Sequence, residues 1–200
     1  MNVVPPNESG YAQAAAAIRN GEIVAYPTET VYGLGVDPFN EDALAKLFRV
    51  KGRDASAPIL LIVDSPERLE AICLDVSHNA LACMRQFWPG PLSLLLPKKP
   101  ILPDSLTAGS SKVCVRCPGA ETARAFCSKA GGIITSTSAN LSGQPPATSL
   151  AGITLEGIAM AIDGGALPPS PPSTVFDPDQ GVIIRHGAIA DDDLKPWLSE

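Results

Sequence analysis

Short apolar runs bounded by Gly, Pro and Asn alternate along this chain with segments that carry helix caps, and that interleaving restricts its fold. A helix buries one apolar stripe and a strand one or both faces, so a chain that alternates the two folds as helices layered on a sheet. Residues 11–19 are alanine-rich and stop at Asn20-Gly21, which predicts a helix. Residues 22–26 read as a buried strand, and Pro27, with no N–H to donate, is expected to end its ladder. Asn40 caps a second helix carrying Leu44, Leu47 and Phe48 on one face. Apolar strands follow at 58–63, 92–96, 113–116 and 133–136, with helices opened by Ser65-Pro66 and Ser77 and a third over 120–130. Residues 97–112 form a polar excursion, 149–158 a weak helix, 159–162 a strand, 175–176 with 182–185 a closing hairpin, and 191–198 a last helix. The reading is α/β: a single domain over 1–200 with a twisted mixed open sheet flanked by helices. Whether neighbouring strands run parallel or antiparallel is left open by this pattern.

Tyr26-Pro27-Thr28-Glu29-Thr30-Val31-Tyr32-Gly33-Leu34-Gly35 is the least ordinary stretch. It reads as a hydroxyl-rich loop at the carboxyl end of a strand, where open α/β sheets place their ligands. Threonines capping their own backbone in a tight turn are the plainer alternative. Glu29 has no evident catalytic partner, and a structural tie to neighbouring backbone is its expected job. Lys51-Gly52-Arg53 follows a helix; the two cations suit phosphate oxygens, one as a point charge and one as a fork, and equally suit a helix C-terminus. Ser136-Thr137-Ser138-Ala139-Asn140, with Ser142-Gly143 behind it, puts hydroxyls, an amide and free N–H groups at a strand end, a cradle for an anion or an ordinary Ser/Asx turn. Arg116 alternates with Val113 and Val115 on a strand, and Pro172-Ser173-Thr174-Val175 faces Arg185-His186-Gly187 across the closing hairpin.

Other patterns are excluded. No G-x-x-x-x-G-K-[ST] occurs, and Gly33-Leu34-Gly35 lacks the third glycine of a dinucleotide fingerprint. Cys114 and Cys117 have no second pair, and on a strand they would face opposite sides, so no metal site is expected. His78 and His186 lie far apart in sequence, which disfavours a histidine-based nucleophile triad. A net charge of −6 gives no footprint for duplex nucleic acid. No apolar run approaches the roughly 18 residues of a membrane span. The N-terminus shows neither a basic nor an apolar signal region, and the five cysteines look like reduced core residues, so a cytoplasmic protein is expected. What remains is an inventory of hydroxyls, amides and cations without a nucleophile–base pair, which suits charge neutralisation in transfer at a phosphate.

Taken together, the 26–35 stretch, Lys51-Gly52-Arg53, Trp88-Pro89-Gly90-Pro91-Leu92, Val115-Arg116-Cys117-Pro118, residues 136–143, Pro172-Ser173-Thr174-Val175 and Arg185-x-Gly187 resemble the YrdC-like threonylcarbamoyl-AMP synthases, in the family's order. The resemblance implies a YrdC-like sheet with a large concave, locally positive cavity. It implies formation of threonylcarbamoyl-AMP and pyrophosphate from L-threonine, bicarbonate and ATP, with Mg2+ accompanying the ATP. The product would feed the t6A37 modification of tRNA through a separate threonylcarbamoyl transferase complex, with transient tRNA contact as a further expectation and a non-catalytic RNA-binding module as the alternative. Carried over by motif, Thr28, Thr30, Arg116, Ser136 and Ser173 would bind threonine. Lys51 and Arg53 would be catalytic and grip the ATP phosphates, while Ser138, Asn140 and Arg185 would bind the nucleotide. The sequence departs from the family where Asp54-Ala55-Ser56-Ala57 separates Arg53 from Pro58. Longer members add a linker and a C-terminal domain; the single-domain form is expected here, with the loop 164–172 as the cover of the site.

Overall fold

The computed structural model describes residues 1–52 and 57–199. In order these form β1 (Asn2–Val4), α1 (Glu8–Arg19), β2 (Val24–Pro27), β3 (Tyr32–Gly35), α2 (Glu41–Lys51), β4 (Leu60–Val63), α3 (Leu69–Ile72) and α4 (His78–Phe87). Then come β5 (Leu92–Pro97), α5 (Asp104–Thr107), β6 (Lys112–Arg116), α6 (Glu121–Lys129), β7 (Ile133–Ser138), β8 (Met160–Ile162), β9 (Thr174–Asp177), β10 (Val182–Arg185) and α7 (Asp191–Leu194). The strands make one sheet in the order β1-β8-β2-β3-β7-β4-β6-β5-β9-β10. Pairing is mixed: β1/β8, β2/β8, β4/β6 and β5/β9 are parallel, and β2/β3, β3/β7, β4/β7, β5/β6 and β9/β10 antiparallel.

Several local expectations are corrected. The 26–35 stretch is a hairpin rather than a strand and a loop, because Tyr32–Gly35 pairs with Val24–Pro27. Glycines allow it: a Cβ on Gly33 would lie 3.2 Å from Cζ of Tyr26, and one on Gly35 3.1 Å from its Cε1. The Tyr26 ring therefore occupies the space that side chains on β3 would fill. Pro27 does end the ladder, as the last paired residue of β2, opposite Tyr32. Helix α1 begins at Glu8 because Asn7 accepts from the Gly10 N–H at 3.0 Å. The expected helix at 149–158 shrinks to a 3-10 turn at Leu150–Gly152, ahead of Gly157 with its left-handed φ of 84°. The last helix stops at Leu194, and Lys195–Trp197 continues as 3-10 with Pro196 inside it. The polar excursion contains α5, and β1 is an additional edge strand.

Period-two alternation sends the strands' side chains into two cores. Ala25, Leu34, Leu61, Val63, Leu94, Val115 and Phe176 face one side, under α2, α3 and α4. Val24, Tyr26, Ile62, Ile134 and Ile162 face the other, against Tyr11, Ala14 and Ile18 of α1 and Ala123 and Phe126 of α6. The rings of Tyr26 and Phe126 meet with centroids 5.2 Å apart. Helices α1 and α6 pack on β8, β2, β7 and β4. On that same face the strands from β4 to β10 bear the wall of a cavity. Among the described residues no helix is long and apolar enough to cross a membrane.

Candidate active site

The cavity on this face encloses about 610 Å³. Strand register explains its lining. Ile62 pairs with Arg116 across β4/β6, and Leu94 with Val115 across β5/β6, which sets Ser93 beside Arg116. Ser93 pairs with Val175, and Val175 with Arg185, so Arg116, Ser93, Val175 and Arg185 form one row on the sheet. A second row brings together Ser136, Leu60, Cys114 and Leu95. All eight line the cavity, with Thr28, Thr30 and Gly33 at one end and Pro172 and Ser173 at the other. The register shift between Ile183 and Arg185 lets Ile184 and Arg185 both reach it. Pro172 represents the loop 164–172 in the wall.

Thr28 is 3% exposed, and its hydroxyl donates to the Val31 carbonyl at 2.7 Å. It also accepts from the N–H groups of Thr30 and Val31, each at 3.2 Å, and lies 3.1 Å from the Thr30 hydroxyl. The self-capping reading of this turn thus holds for Thr28, which also lines the cavity. Buried Arg116 donates through Nη1 to Oε1 of Glu29 at 3.0 Å, and its Nε is buried with no hydrogen-bond partner among the described residues. Arg185 donates twice to the Ser173 carbonyl, at 2.8 and 3.2 Å, and once to its hydroxyl at 3.0 Å. Ser173 in turn lies 2.9 Å from the Ser93 hydroxyl. Partial burial lowers the Arg185 pKa, opposed by Cys114 and reinforced by the positive charge of Arg116. Burial pushes the Cys114 thiol up to about 12 although both guanidiniums pull it down, so the thiol stays protonated at neutral pH. Burial likewise raises Tyr26, whose hydroxyl donates to the Thr135 carbonyl and has Ser136 beside it.

Of the residues assigned by motif, Thr28, Thr30, Arg116, Ser136, Ser138, Ser173 and Arg185 share this one cavity wall. Lys51 is buried at the end of α2, and its ammonium donates to the carbonyls of Ser138 and Asn140, the latter at 2.8 Å. Asn140 donates through Nδ2 to the carbonyls of Leu141 and Gln144, holding its own turn. Neither is among the residues that line the cavity, and Lys51 reaches its wall only through the carbonyl of Ser138. Arg53 and Asp54 to Ser56 lie outside the described residues. Glu29 has the structural tie expected of it, although to Gly119 and Ala120 on a distant stretch of chain and to Arg116. Ser93 was not anticipated: a lone serine in a leucine-rich strand shows its importance only once the register sets it between Arg116 and Val175.

A mixed α/β sheet that displays two arginines and a set of hydroxyls among apolar side chains in one concavity defines a protein whose sheet face suits a small anionic ligand. Comparison with known proteins narrows the class. The chain belongs to the Sua5_yciO_yrdC family, described as "Telomere recombination", which it matches over residues 16–187. It is 42% identical over 179 residues to a threonylcarbamoyl-AMP synthase of Methylococcus capsulatus, covering 86% of this chain and 94% of the relative. It is 36% identical over 192 residues to the threonylcarbamoyl-AMP synthase of Pyrococcus abyssi, covering 94% of this chain but 56% of that protein. The crystal structure of P. abyssi Sua5 complexed with L-threonine superimposes with a TM-score of 0.92 at 35% identity, covering all of this chain and 60% of the other.

Proposed function

We propose that this protein joins L-threonine, bicarbonate and ATP into threonylcarbamoyl-AMP, releasing pyrophosphate. The observation that carries the reading is the row of Arg116, Ser93 and Arg185 on one sheet face, ending beside the Thr28–Thr30 turn. Two guanidinium groups in one cavity suit a ligand pair bearing a carboxylate and phosphates. The relatives named threonylcarbamoyl-AMP synthase support the product, and the Sua5 crystal structure complexed with L-threonine supports threonine as a substrate.

In the reaction we infer, the threonine amine nitrogen attacks the bicarbonate-derived carbon, and water leaves to give the carbamate. A carbamate oxygen then attacks the α-phosphorus of ATP, and the bond to the bridging oxygen of pyrophosphate breaks. Carbamates are short-lived in water, so holding carbamate and ATP together in one concavity is the main contribution of the protein. Arg116 would bind the threonine carboxylate, with Thr28, Thr30, Ser136 and Ser173 around the amino acid. Arg185 and Ser138 would bind nucleotide, and Lys51, with Asn140, would hold the turn that presents Ser138. Arg53 retains the phosphate-binding role given by its motif. Mg2+ would enter with ATP: the cavity wall offers hydroxyls and cations, and no group of three or more His, Cys, Asp or Glu among the described residues could hold a metal ion. That donor set fits a cation carried by the triphosphate.

The product would pass to a separate tRNA threonylcarbamoyl transferase complex in the cytoplasm. A non-catalytic RNA-binding role is not favoured by a net charge of −6 and an aromatic content of 5%. The test is mass spectrometry after incubation with ATP, Mg2+, bicarbonate and L-threonine. The expected result is threonylcarbamoyl-AMP that requires all three substrates. Tight tRNA binding with no threonine-dependent ATP turnover would overturn the reading, and product formed only from carbamoyl phosphate would reassign the carbon donor.

A further inference from the structure

Glu29 sits in the turn between β2 and β3, between two threonines that line the cavity, and its carboxylate reaches to three groups from another part of the chain. Oε1 accepts from Nη1 of Arg116 and from the Gly119 N–H, each at 3.0 Å, and Oε2 from the Ala120 N–H at 3.3 Å. Ala120 heads α6 without a side-chain cap of its own, so Glu29 supplies from a distant element the acceptor that this helix start lacks. The same segment is gripped from its carbonyl side, where Arg124 donates to Pro118 and Gly119 at 2.6 and 2.7 Å. Residues 118–120, next to Arg116, are thus held by both their N–H and their C=O groups.

We propose that Glu29 is the positioning residue that orients the Arg116 guanidinium for the threonine carboxylate; this deepens the functional reading above and rests on it. A guanidinium offers several N–H groups and binds a carboxylate best with two of them. Glu29 engages the single nitrogen Nη1 and leaves Nε unpartnered. An arginine 3% exposed cannot leave that nitrogen unsatisfied without a cost in stability, and a substrate carboxylate arriving at the Nε edge would satisfy it. Because Glu29 belongs to the Thr28–Thr30 turn, the one ion pair also couples the two walls of the threonine pocket. With both oxygens engaged by donors, Glu29 is not disposed to act as a base.

The experiment is calorimetric titration of L-threonine and of L-threoninol, which lacks the carboxylate, into the wild type, Glu29→Gln, Arg116→Ala and the double variant, with thermal melts of each. The expected result is an affinity for threonine lowered about tenfold in Glu29→Gln, with threoninol binding unchanged. In the Arg116→Ala background the same change should add less than about twofold, because its target is gone. Equal losses for the two ligands, or a full loss persisting without Arg116, would make Glu29 a general scaffold residue and overturn the proposal. A fall in maximal rate with a shifted pH profile and unaltered threonine affinity would make it a base, which also overturns it. A wild type that binds no threonine would instead overturn the functional reading, and this role with it.

Discussion

Ser93 on β5 and Ser173 just ahead of β9, their hydroxyls 2.9 Å apart, show how little side chain is needed to fix the guanidinium of Arg185. Ser173 receives Arg185 on both its carbonyl and its hydroxyl, and Ser93 sets the hydroxyl's rotamer from the other side. Ser93→Ala should lower the stability by about 1 kcal/mol, read as a shift in the urea midpoint, because one buried hydroxyl loses its partner while the Arg185 contacts persist. An unshifted midpoint would show that Ser173 finds another partner. Lys51 tests a different idea. It was assigned to ATP phosphates from its motif, yet its ammonium donates to the Ser138 and Asn140 carbonyls at the end of the turn that carries Ser138. Lys51→Met keeps the aliphatic stem and removes those donors. The expected outcome is a stability loss of about 2 kcal/mol together with loss of threonine-dependent pyrophosphate release. Retained release in a destabilised variant would confine Lys51 to structure.

At the scale of elements, what could be read from the sequence was local and what could not was remote. The caps of α2 and α4 were visible because Asn40 and Ser77 precede apolar periodic runs, and both accept the expected N–H, from Ala43 at 3.0 Å and Ala80 at 3.2 Å. Asn40→Ala should therefore lower the stability by about 1 kcal/mol, measurable by thermal or urea unfolding, without altering threonine affinity. A drop several times larger would mean that α2 is held chiefly at its N-terminus rather than by Leu44, Leu47 and Phe48 beneath the sheet. Helix α6 could not be read so completely, since the acceptor at its start is Glu29, 91 residues earlier in the chain than Ala120. Strand β3 was invisible for a related reason. Tyr-Gly-Leu-Gly has poor strand propensity, and only the Tyr26 ring on the neighbouring strand makes glycines the residues that fit there. The site followed the same rule: the motifs carry Thr28, Thr30, Arg116, Ser136, Ser138, Ser173 and Arg185 of its wall, while Ser93 emerges only from the register.

For the whole molecule, one face of the sheet is divided between a helix-covered half and the cavity, and the thiols are spread over both sides: Cys73, Cys83 and Cys117 lie in one core, Cys127 in the other, and Cys114 in the cavity wall. All five cysteines are free, and burial raises each above the ordinary value of 9.0: Cys73 and Cys114 to about 12, Cys83 and Cys117 to about 11, and Cys127 upward as well. Desolvation of the thiolate is the first cause in every case, and neighbouring cations such as Lys99 and Arg124 only soften it. The sign of the linkage follows. Below pH 9 both folded and unfolded chains hold the thiol protons, and these groups leave stability unchanged. Above it the unfolded chain releases its protons first, binds fewer than the folded chain, and stability falls through the window up to pH 12. Under reducing conditions the urea midpoint should therefore be level through neutral pH and drop steeply above about pH 9, the ordinary thiol value. Thiolate ultraviolet absorbance separates this from lysine titration: in the folded protein it should lag behind that of the urea-unfolded chain as pH rises. Coincident absorbance curves would mean that water reaches the thiols, and would overturn close packing on both faces of the sheet.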